Sequence, residues 1–328
     1  MAHSGRIAAL DGLRAVAILL VVGSHFVTER IPGGFGVTLF FFISGFIITR
    51  VLLQDSRLWP FYVRRFFRLA PALFVLVAVV FSFQPLVRED VRAVLLYYAN
   101  YHRFRTPGLD ITWSLAVEEH FYLLFPALVC ILPRRRLLHA LLLFVVAALA
   151  WRLVLVLGFD EIERIHRSTD TRLDSIAYGC LLSVLAARPD CRRIVDGLAT
   201  RGALSAGFAL LLACFVIRND AFRETLRYSL QGIAFMPIFA ALFLRSQAAP
   251  SWLRRPLESP AMTFIGRISY SLYLYHEIGF ALEIPLVPEG LVAGVVATLL
   301  SYYIVETPTR RLGARLADRP PAWRRSPG

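Results

Sequence analysis

The sequence predicts an all-α, polytopic membrane protein with about ten transmembrane helices around a central polar cavity and both termini in the cytoplasm. Of its 328 residues, 57% are hydrophobic and 18% are charged, whereas a typical soluble domain carries about 25% charged residues. Apolar stretches recur from residue 10 to residue 305 with only short polar breaks. No second hydrophilic domain fits between them, so we expect one membrane domain over residues 1–309 and a short basic cytoplasmic tail over residues 310–328.

The apolar runs set the expected helix positions, because a helix needs about 20 apolar residues to cross the hydrocarbon core. The first run, Leu13 to Val22, carries Arg14 at its start and lacks a small-residue cleavage site, so we expect a retained helix rather than a signal peptide. The predicted spans lie near residues 10–27, 35–53, 69–87, 113–132, 137–157, 172–187, 201–217, 226–245, 261–281 and 286–305.

The net charge of +13 comes from arginine without any lysine, and the arginines cluster between apolar runs. This pattern favours a topology signal over a nucleic-acid partner. More arginines lie in the segments on the same side of the membrane as the N-terminus than in those on the opposite side. By the positive-inside rule, this places both termini in the cytoplasm, in a protein of the cell (cytoplasmic or inner) membrane. In this predicted topology, Arg152 falls in a segment on the outer side of the membrane. Four scattered cysteines without a CxxC pair predict neither a metal site nor a disulfide framework.

Ionisable residues inside a span are costly and usually face a cavity or a partner. Arg14 and His25 are eleven residues apart in the first span, which places them within about 20° of one helix face and ~16 Å apart along the axis. An arginine suits a phosphorylated ligand and a histidine suits proton abstraction. The alternatives are that Arg14 pairs with Asp11 or extends to the interface, and that His25 is a packing residue.

Polar residues also mark the fourth and sixth spans. Glu118 and Tyr122 share a helix face at i, i+4, and Trp113 offers an aromatic ring for stacking at the start of this span, although the helix dipole alone can explain an acid at this end. Arg172 and Asp174 begin the sixth span at i, i+2, so we expect each to find its partner on a different helix.

Two further stretches carry polar groups within apolar sequence. Ser269, Tyr273 and His276 form one stripe of polar side chains. It either lines a cavity or makes hydrogen bonds between helices, and the pattern favours neither explanation. The aromatic run from Phe40 to Phe46 contains Ser44 and Gly45, and this small pair permits a close helix approach or a local kink. Ser44 as a nucleophile is the weaker interpretation, because no G-x-S-x-G elbow surrounds it.

Taken in order, these stretches resemble the acyltransferase 3 family over nearly the whole chain. The resemblance rests on Arg14 to His25, Phe40 to Phe46, Phe61 to Arg65, Trp113 to Tyr122, Gly266 to His276, and Ser301 to Glu306. It implies a multi-pass membrane acyltransferase that uses acetyl-CoA or another acyl-CoA, with His25 as the catalytic base and Arg14 serving the donor. Glu118, Arg172 and Asp174 match polar positions of the family's central cavity.

The expected function is therefore O-acyl transfer from acyl-CoA to a hydroxyl of a carbohydrate or glycosylated acceptor. Arg14, Arg64, Arg65 and Arg68 would bind the donor, and Glu118 would assist His25. The residues expected to bind the acceptor or line the cavity are Ser44, Trp113, Arg172, Asp174, Tyr273 and His276. We expect no metal, no bound cofactor, no nucleic-acid partner and no additional hydrolase-like domain. A transporter or flippase and a structural or sensory membrane protein are the competing interpretations.

Overall fold

The structure is a computed structural model that describes residues 7–83, 87–159, 162–245 and 249–318. Every regular element within these ranges is helical, which confirms the all-α class. The α-helices in chain order are α1 (Ala8–Phe26), α2 (Gly33–Gln54), α3 (Leu58–Phe83), α4 (Arg88–Leu95), α5 (Trp113–Ile131), α6 (Arg134–Val154), α7 (Ile162–Arg167), α8 (Thr169–Ala186), α9 (Arg192–Leu198), α10 (Arg201–Val216), α11 (Asp220–Glu224), α12 (Leu226–Phe239), α13 (Ser251–Leu257), α14 (Pro260–Tyr275), α15 (Ile278–Ala281), α16 (Leu291–Leu300) and α17 (Thr307–Ala317).

Wider helical turns extend several of these helices. Such π-helical turns occupy Leu155–Phe159 after α6, Ala240–Leu244 after α12, Leu286–Gly290 before α16 and Ser301–Glu306 after α16. Short 3-10 turns occupy Ala99–Tyr101, Asp110–Thr112 and Pro189–Cys191. Because these turns join the α-helices end to end, several of the apolar segments are longer than the α-helices alone.

Seven helical segments of the described chain are long and apolar enough to cross a membrane. They are Ala8–Phe26, Gly33–Gln54, Leu58–Phe83, Asp110–Ile131, Arg134–Phe159, Leu226–Leu244 and Pro288–Ala317. The pair Pro189–Leu198 and Arg201–Val216 is bent by 65° and makes an eighth segment if it crosses as one span. A multi-pass membrane protein is the coarse architecture that these segments support.

The other two predicted spans coincide with α8 and α14. Helix α8 carries Asp170, Arg172 and Asp174, and α14 has only 16 residues, so neither has the composition or length of an ordinary apolar span. Ten spans and cytoplasmic termini therefore stay predictions.

The chain divides into two compact units, residues 1–54 with 113–267 and residues 55–112 with 268–328. In the first unit, α2 and α8 cross at direct backbone contact. A Cβ atom on Gly45 would lie 2.0 Å from the carbonyl oxygen of Ile176, and one on Gly179 would lie 2.1 Å from the carbonyl oxygen of Phe42. The close helix approach, one of the two outcomes expected for the pair Ser44 and Gly45, is observed.

In the second unit, α3 begins at Leu58, earlier than the predicted span start near residue 69. The arginine cluster that precedes the apolar run is therefore helical, and its charges explain why hydropathy alone placed the start too late. Helix α17 packs against α3, where a Cβ atom on Gly313 would lie 2.5 Å from the Cβ of Phe67. Residues 310–317 of the expected tail thus belong to α17, residues 319–328 lie outside the described residues, and the boundary at residue 309 stays a prediction.

Candidate active site

Arg14 and His25 both lie on α1, because this helix runs unbroken from Ala8 to Phe26. Helix geometry therefore places them near one face and ~16 Å apart along the axis, as expected from their spacing. Arg14 is partly buried, whereas His25 is exposed in the last helical turn. Helix α1 thus presents a permanent cation and a titratable imidazole at two different depths of the first unit.

Ser44 links the predicted residue Glu118 to Tyr122. The Tyr122 hydroxyl donates to Ser44 Oγ at 3.2 Å, and the Ser44 hydroxyl donates to Glu118 Oε1 at 2.5 Å. Ser44 and Tyr122 are buried, and Glu118 is partly buried. A hydroxyl that accepts one hydrogen bond and donates another connects the phenol to the carboxylate, which makes a short path for a proton. Sequence reasoning predicted the shared face of Glu118 and Tyr122, but it did not identify Ser44 as their common partner.

Arg152 is fully buried within α6, which corrects its assignment to an outer segment. Its guanidinium donates to Asp174 Oδ2 at 2.7 Å and to Ser229 Oγ at 2.7 Å. It also donates to the carbonyl oxygens of Thr171 at 2.6 Å and Thr225 at 3.2 Å. A buried charge with a carboxylate and three further acceptors is satisfied, so Arg152 and Asp174 join α6, α8 and α12.

Arg172 is also fully buried but has far fewer partners. Its Nη2 donates to Thr38 Oγ1 at 3.0 Å, and its guanidinium carbon lies 3.7 Å from the centre of the Tyr228 ring. Within the described part of the chain, its Nε and Nη1 have no hydrogen-bond acceptor. Arg172 thus donates to α2, whereas Asp174 pairs with Arg152 on α6, so these two partners lie on different helices as expected. Both residues also contact α12.

Trp113 contacts His166, a residue that the sequence did not single out. Their ring centres are 5.3 Å apart, and His166 Nδ1 lies 3.3 Å from the Tyr228 hydroxyl. Burial, followed by the positive charges of Arg172 and Arg227, lowers the pKa of His166 to about 3. His166 is therefore neutral at physiological pH. It occupies the short helix α7 outside every predicted span, where a single histidine gives no sequence signal.

In the second unit, Tyr273 and His276 are buried close to each other. The Tyr273 hydroxyl donates to the carbonyl oxygen of Ile111 at 3.0 Å. His276 Nδ1 lies 2.8 Å from the carbonyl oxygen of Tyr273, and because a carbonyl only accepts, Nδ1 carries the proton in this contact. Of the predicted stripe, Tyr273 thus hydrogen-bonds to a segment outside α14, and His276 hydrogen-bonds to a carbonyl three residues earlier. The cavity-lining role of Ser269, Tyr273 and His276 stays a prediction.

The arginines predicted to bind the donor occupy two successive turns of α3 in the second unit. Arg64 and Arg68 share a face at i, i+4, and Arg65 follows Arg64. The Arg64 side chain is half-exposed and pairs with Asp318 at 2.8 Å. Arg65 and Arg68 are partly buried. Arg14 lies in the first unit, so the residues predicted for the donor are divided between the two units.

Comparison with known proteins identifies relatives over most of the chain. A family model described as "Acyltransferase domain" matches residues 7–306. The protein named O-acetyltransferase OatA from Staphylococcus aureus strain NCTC 8325 / PS 47 is 33% identical over 351 residues, which cover 93% of this chain and 57% of the relative. The same values hold for O-acetyltransferase OatA from strain COL. This chain therefore spans a little more than half of the length of these relatives. No solved structure matches.

The family model covers nearly the whole of the described chain, and the relatives exceed 30% identity over almost all of it. The order of the motifs from Arg14 to Glu306 agrees with that match. The chain belongs to the acyltransferase 3 family.

Proposed function

We propose that this chain is a multi-pass O-acyltransferase of the cytoplasmic (inner) membrane. It moves an acyl group, in the simplest case acetyl, from acyl-CoA to a hydroxyl of a carbohydrate or glycosylated acceptor. Family membership and the name of the O-acetyltransferase relatives support the reaction class. The observation that carries the proposal is the hydrogen-bonded chain from Tyr122 through Ser44 to Glu118 among apolar helices. Packing alone does not require a carboxylate there, whereas a carboxylate can orient a hydroxyl group whose proton moves during a reaction.

His25 is the proposed base. Its neutral imidazole takes the proton of the acceptor hydroxyl as that oxygen attacks the carbonyl carbon of the thioester. The tetrahedral intermediate then loses the thiolate when the carbon–sulfur bond breaks. The proton on His25 passes to the thiolate, so the products are the acyl ester and free CoA thiol. No metal or bound cofactor enters this sequence of steps.

Glu118 has a supporting role in this proposal. Its carboxylate holds the hydroxyl of Ser44, and Tyr122 completes the chain, so the three groups form a preorganised polar surface. Such a surface can orient an acceptor hydroxyl or receive its proton without reorganising during the reaction. Trp113, Arg172 and Asp174 are assigned to the acceptor side of the first unit, and Tyr273 and His276 are cavity-lining candidates of the second.

The donor is assigned to arginines because acyl-CoA carries several phosphate groups that arginine binds with paired, charge-assisted hydrogen bonds. Arg14 is the candidate of the first unit, and Arg64, Arg65 and Arg68 are the candidates of the second. Replacing a residue that binds only donor phosphates is expected to raise KM for acyl-CoA with a smaller effect on kcat, because that contact is made equally in the ground state and the transition state.

The test measures release of free CoA thiol by the purified protein supplied with acetyl-CoA and carbohydrate acceptors. His25→Ala is expected to lower the acceptor-dependent rate by about 100-fold or more. His139→Ala is the matched control, because His139 is exposed on α6. Arg14→Ala is compared with Arg136→Ala, an exposed arginine of the same helix as His139. Wild-type turnover in His25→Ala would exclude it as the base. Absence of thiol release with every donor and acceptor, together with solute flux in vesicles, would favour a transporter.

A further inference from the structure

The two buried arginines of the first unit differ in how completely their hydrogen-bonding capacity is used. Arg152 donates to a carboxylate, a hydroxyl and two carbonyl groups. Arg172 has the same degree of burial but donates one hydrogen bond, to Thr38. Its Nε and Nη1 atoms have no acceptor among the described residues. Because an unmet buried N–H group of a cation is costly, we expect water, an ion or a ligand to meet these donors in the working protein.

Among the described residues, no carboxylate forms a hydrogen bond or an ion pair with Arg172. The neighbouring acid Asp174 directs Oδ2 to Arg152, and its other carboxylate oxygen has no hydrogen-bond partner among the described residues. The other nearby acid, Glu224, accepts from Tyr228 at 2.7 Å and pairs with Arg227 at 3.4 Å. Asp174 Oδ2 and both oxygens of Glu224 are thus used by other groups. Three arginines, Arg152, Arg172 and Arg227, lie near these two acids. This region of the first unit therefore carries an excess of positive charge.

Shape also favours a ligand that approaches Arg172 edge-on. The Tyr228 ring covers one face of the guanidinium at 3.7 Å, and the Phe41 ring lies 5.7 Å away. Stacking on an aromatic ring fixes the guanidinium plane and leaves its edge to donate hydrogen bonds. The unpartnered Nε and Nη1 lie on different edges of the guanidinium, and Nη2 is common to both edges. A carboxylate or phosphate that enters in the guanidinium plane would therefore accept from one of these two nitrogens beside Nη2.

We propose that Arg172 binds an oxyanionic group, a carboxylate or a phosphate, that the acceptor carbohydrate carries. This inference rests on the proposed function, and it narrows the acceptor to an acidic or phosphorylated sugar. Trp113 is 6.3 Å from Phe41 and 5.3 Å from His166, measured between ring centres, so aromatic surface for a sugar ring lies beside the same group of residues. Because Arg172 is fully enclosed, the proposal requires its neighbours to move aside when the acceptor enters.

The pKa of His166 reports on the positive charge of Arg172. The Tyr228 hydroxyl lies 3.3 Å from His166 Nδ1, and Tyr228 itself stacks on Arg172. The low pKa of His166 arises from burial and then from Arg172 and the neighbouring arginines. An anion bound at Arg172 cancels part of that positive field, so the pKa of His166 rises when the site is filled.

The first experiment measures binding without any donor, so it does not depend on turnover. The purified protein in nanodiscs is titrated with methyl glucuronide, methyl glucoside 6-phosphate and uncharged methyl glucoside. Binding is followed by thermal stabilisation and by the NMR titration of labelled His166, whose signal is identified by its loss in His166→Gln. We expect one or both charged sugars to bind on the order of 100-fold more tightly than methyl glucoside and to raise the pKa of His166. Equal binding of all three sugars would overturn the proposal.

The second experiment measures selectivity during turnover. Arg172→Gln is expected to lower kcat/KM for the charged acceptor on the order of 100-fold and for methyl glucoside less than about threefold. Arg172→Lys should keep part of the preference, and exposed Arg218→Gln is the matched control. Similar losses for both acceptors would instead assign Arg172 to the reaction centre and refute the proposal. Charged-sugar binding without any thiol release would refute the proposed function and support the binding role of Arg172. Thiol release without any preference for the charged acceptor would support the proposed function and refute the binding role of Arg172.

Discussion

Removing the Asp174 carboxylate tests the interpretation of the buried ion pair as a structural element. Asp174→Ala deletes the acceptor that lies 2.7 Å from Arg152 Nη2. Both side chains are completely buried, and breaking such a pair on one side costs about 3–5 kcal/mol because the remaining charge stays desolvated. Arg152 keeps the acceptors on Thr171, Thr225 and Ser229. We therefore expect the lower end of that range, about 3 kcal/mol.

The assay is reversible unfolding of the purified protein in mixed micelles with increasing denaturing detergent. Asp196→Ala is the matched control, because Asp196 pairs with Arg245 at 2.6 Å while both side chains are about half exposed. That pair should contribute less than about 1 kcal/mol. The double variant Arg152→Met with Asp174→Ala should be less destabilised than Asp174→Ala alone, because it removes the isolated charge. A loss below about 1 kcal/mol for Asp174→Ala would refute the reasoning.

Three further results are expected. Ser44→Ala and Tyr122→Phe should each lower kcat for thiol release by about tenfold or more with little change in KM for the donor, and unchanged kcat in both would exclude the proton path. Burial raises the pKa of Asp90, but hydrogen bonds from Thr106 and His102 and from backbone amides outweigh it and lower that pKa overall; Asp90→Asn should therefore lower the Tm at pH 7, with a difference that shrinks as the pH falls through the lowered pKa and not as it rises. Gly179→Ala should abolish folding or lower the Tm strongly, whereas Gly202→Ala, whose added Cβ meets nothing within 4 Å, should change the Tm little; similar Tm values for the two would contradict the close crossing of α2 and α8.

The sequence predicted those features that depend on local pattern. Hydropathy located the apolar helices because apolar runs must match the membrane thickness. The spacing of Arg172 and Asp174 predicted contacts to different helices, since residues two positions apart point away from each other on a helix. The small pair Ser44 and Gly45 indicated that α2 either approaches another helix closely or kinks there. Each of these inferences needs only one helix and its geometry.

Features that depend on tertiary pairing were not predicted. Arg152 stands near the end of an apolar run, where a charge is typical of a helix entering water, and only the positions of Asp174 and Ser229 explain its burial. Ser44 became a partner of Glu118 through contact between residues 74 positions apart. The arginines near the start of α3 placed the predicted start of this helix too late, because hydropathy scores a charged residue as polar even where the helix continues.

Helix α2 carries the hydroxyl groups that contact Arg172 and Glu118, and the helix fixes the spacing between these two hydroxyl groups. Thr38 contacts Arg172 on α8, and Ser44 contacts Glu118 on α5. Six residues of helix separate Thr38 from Ser44 by about 9 Å along the axis and about 120° around it. The backbone contact at Gly45 and Gly179 holds α2 in register against α8. A rigid helix rather than a loop therefore sets the distance between the Arg172 guanidinium and the Ser44 hydroxyl.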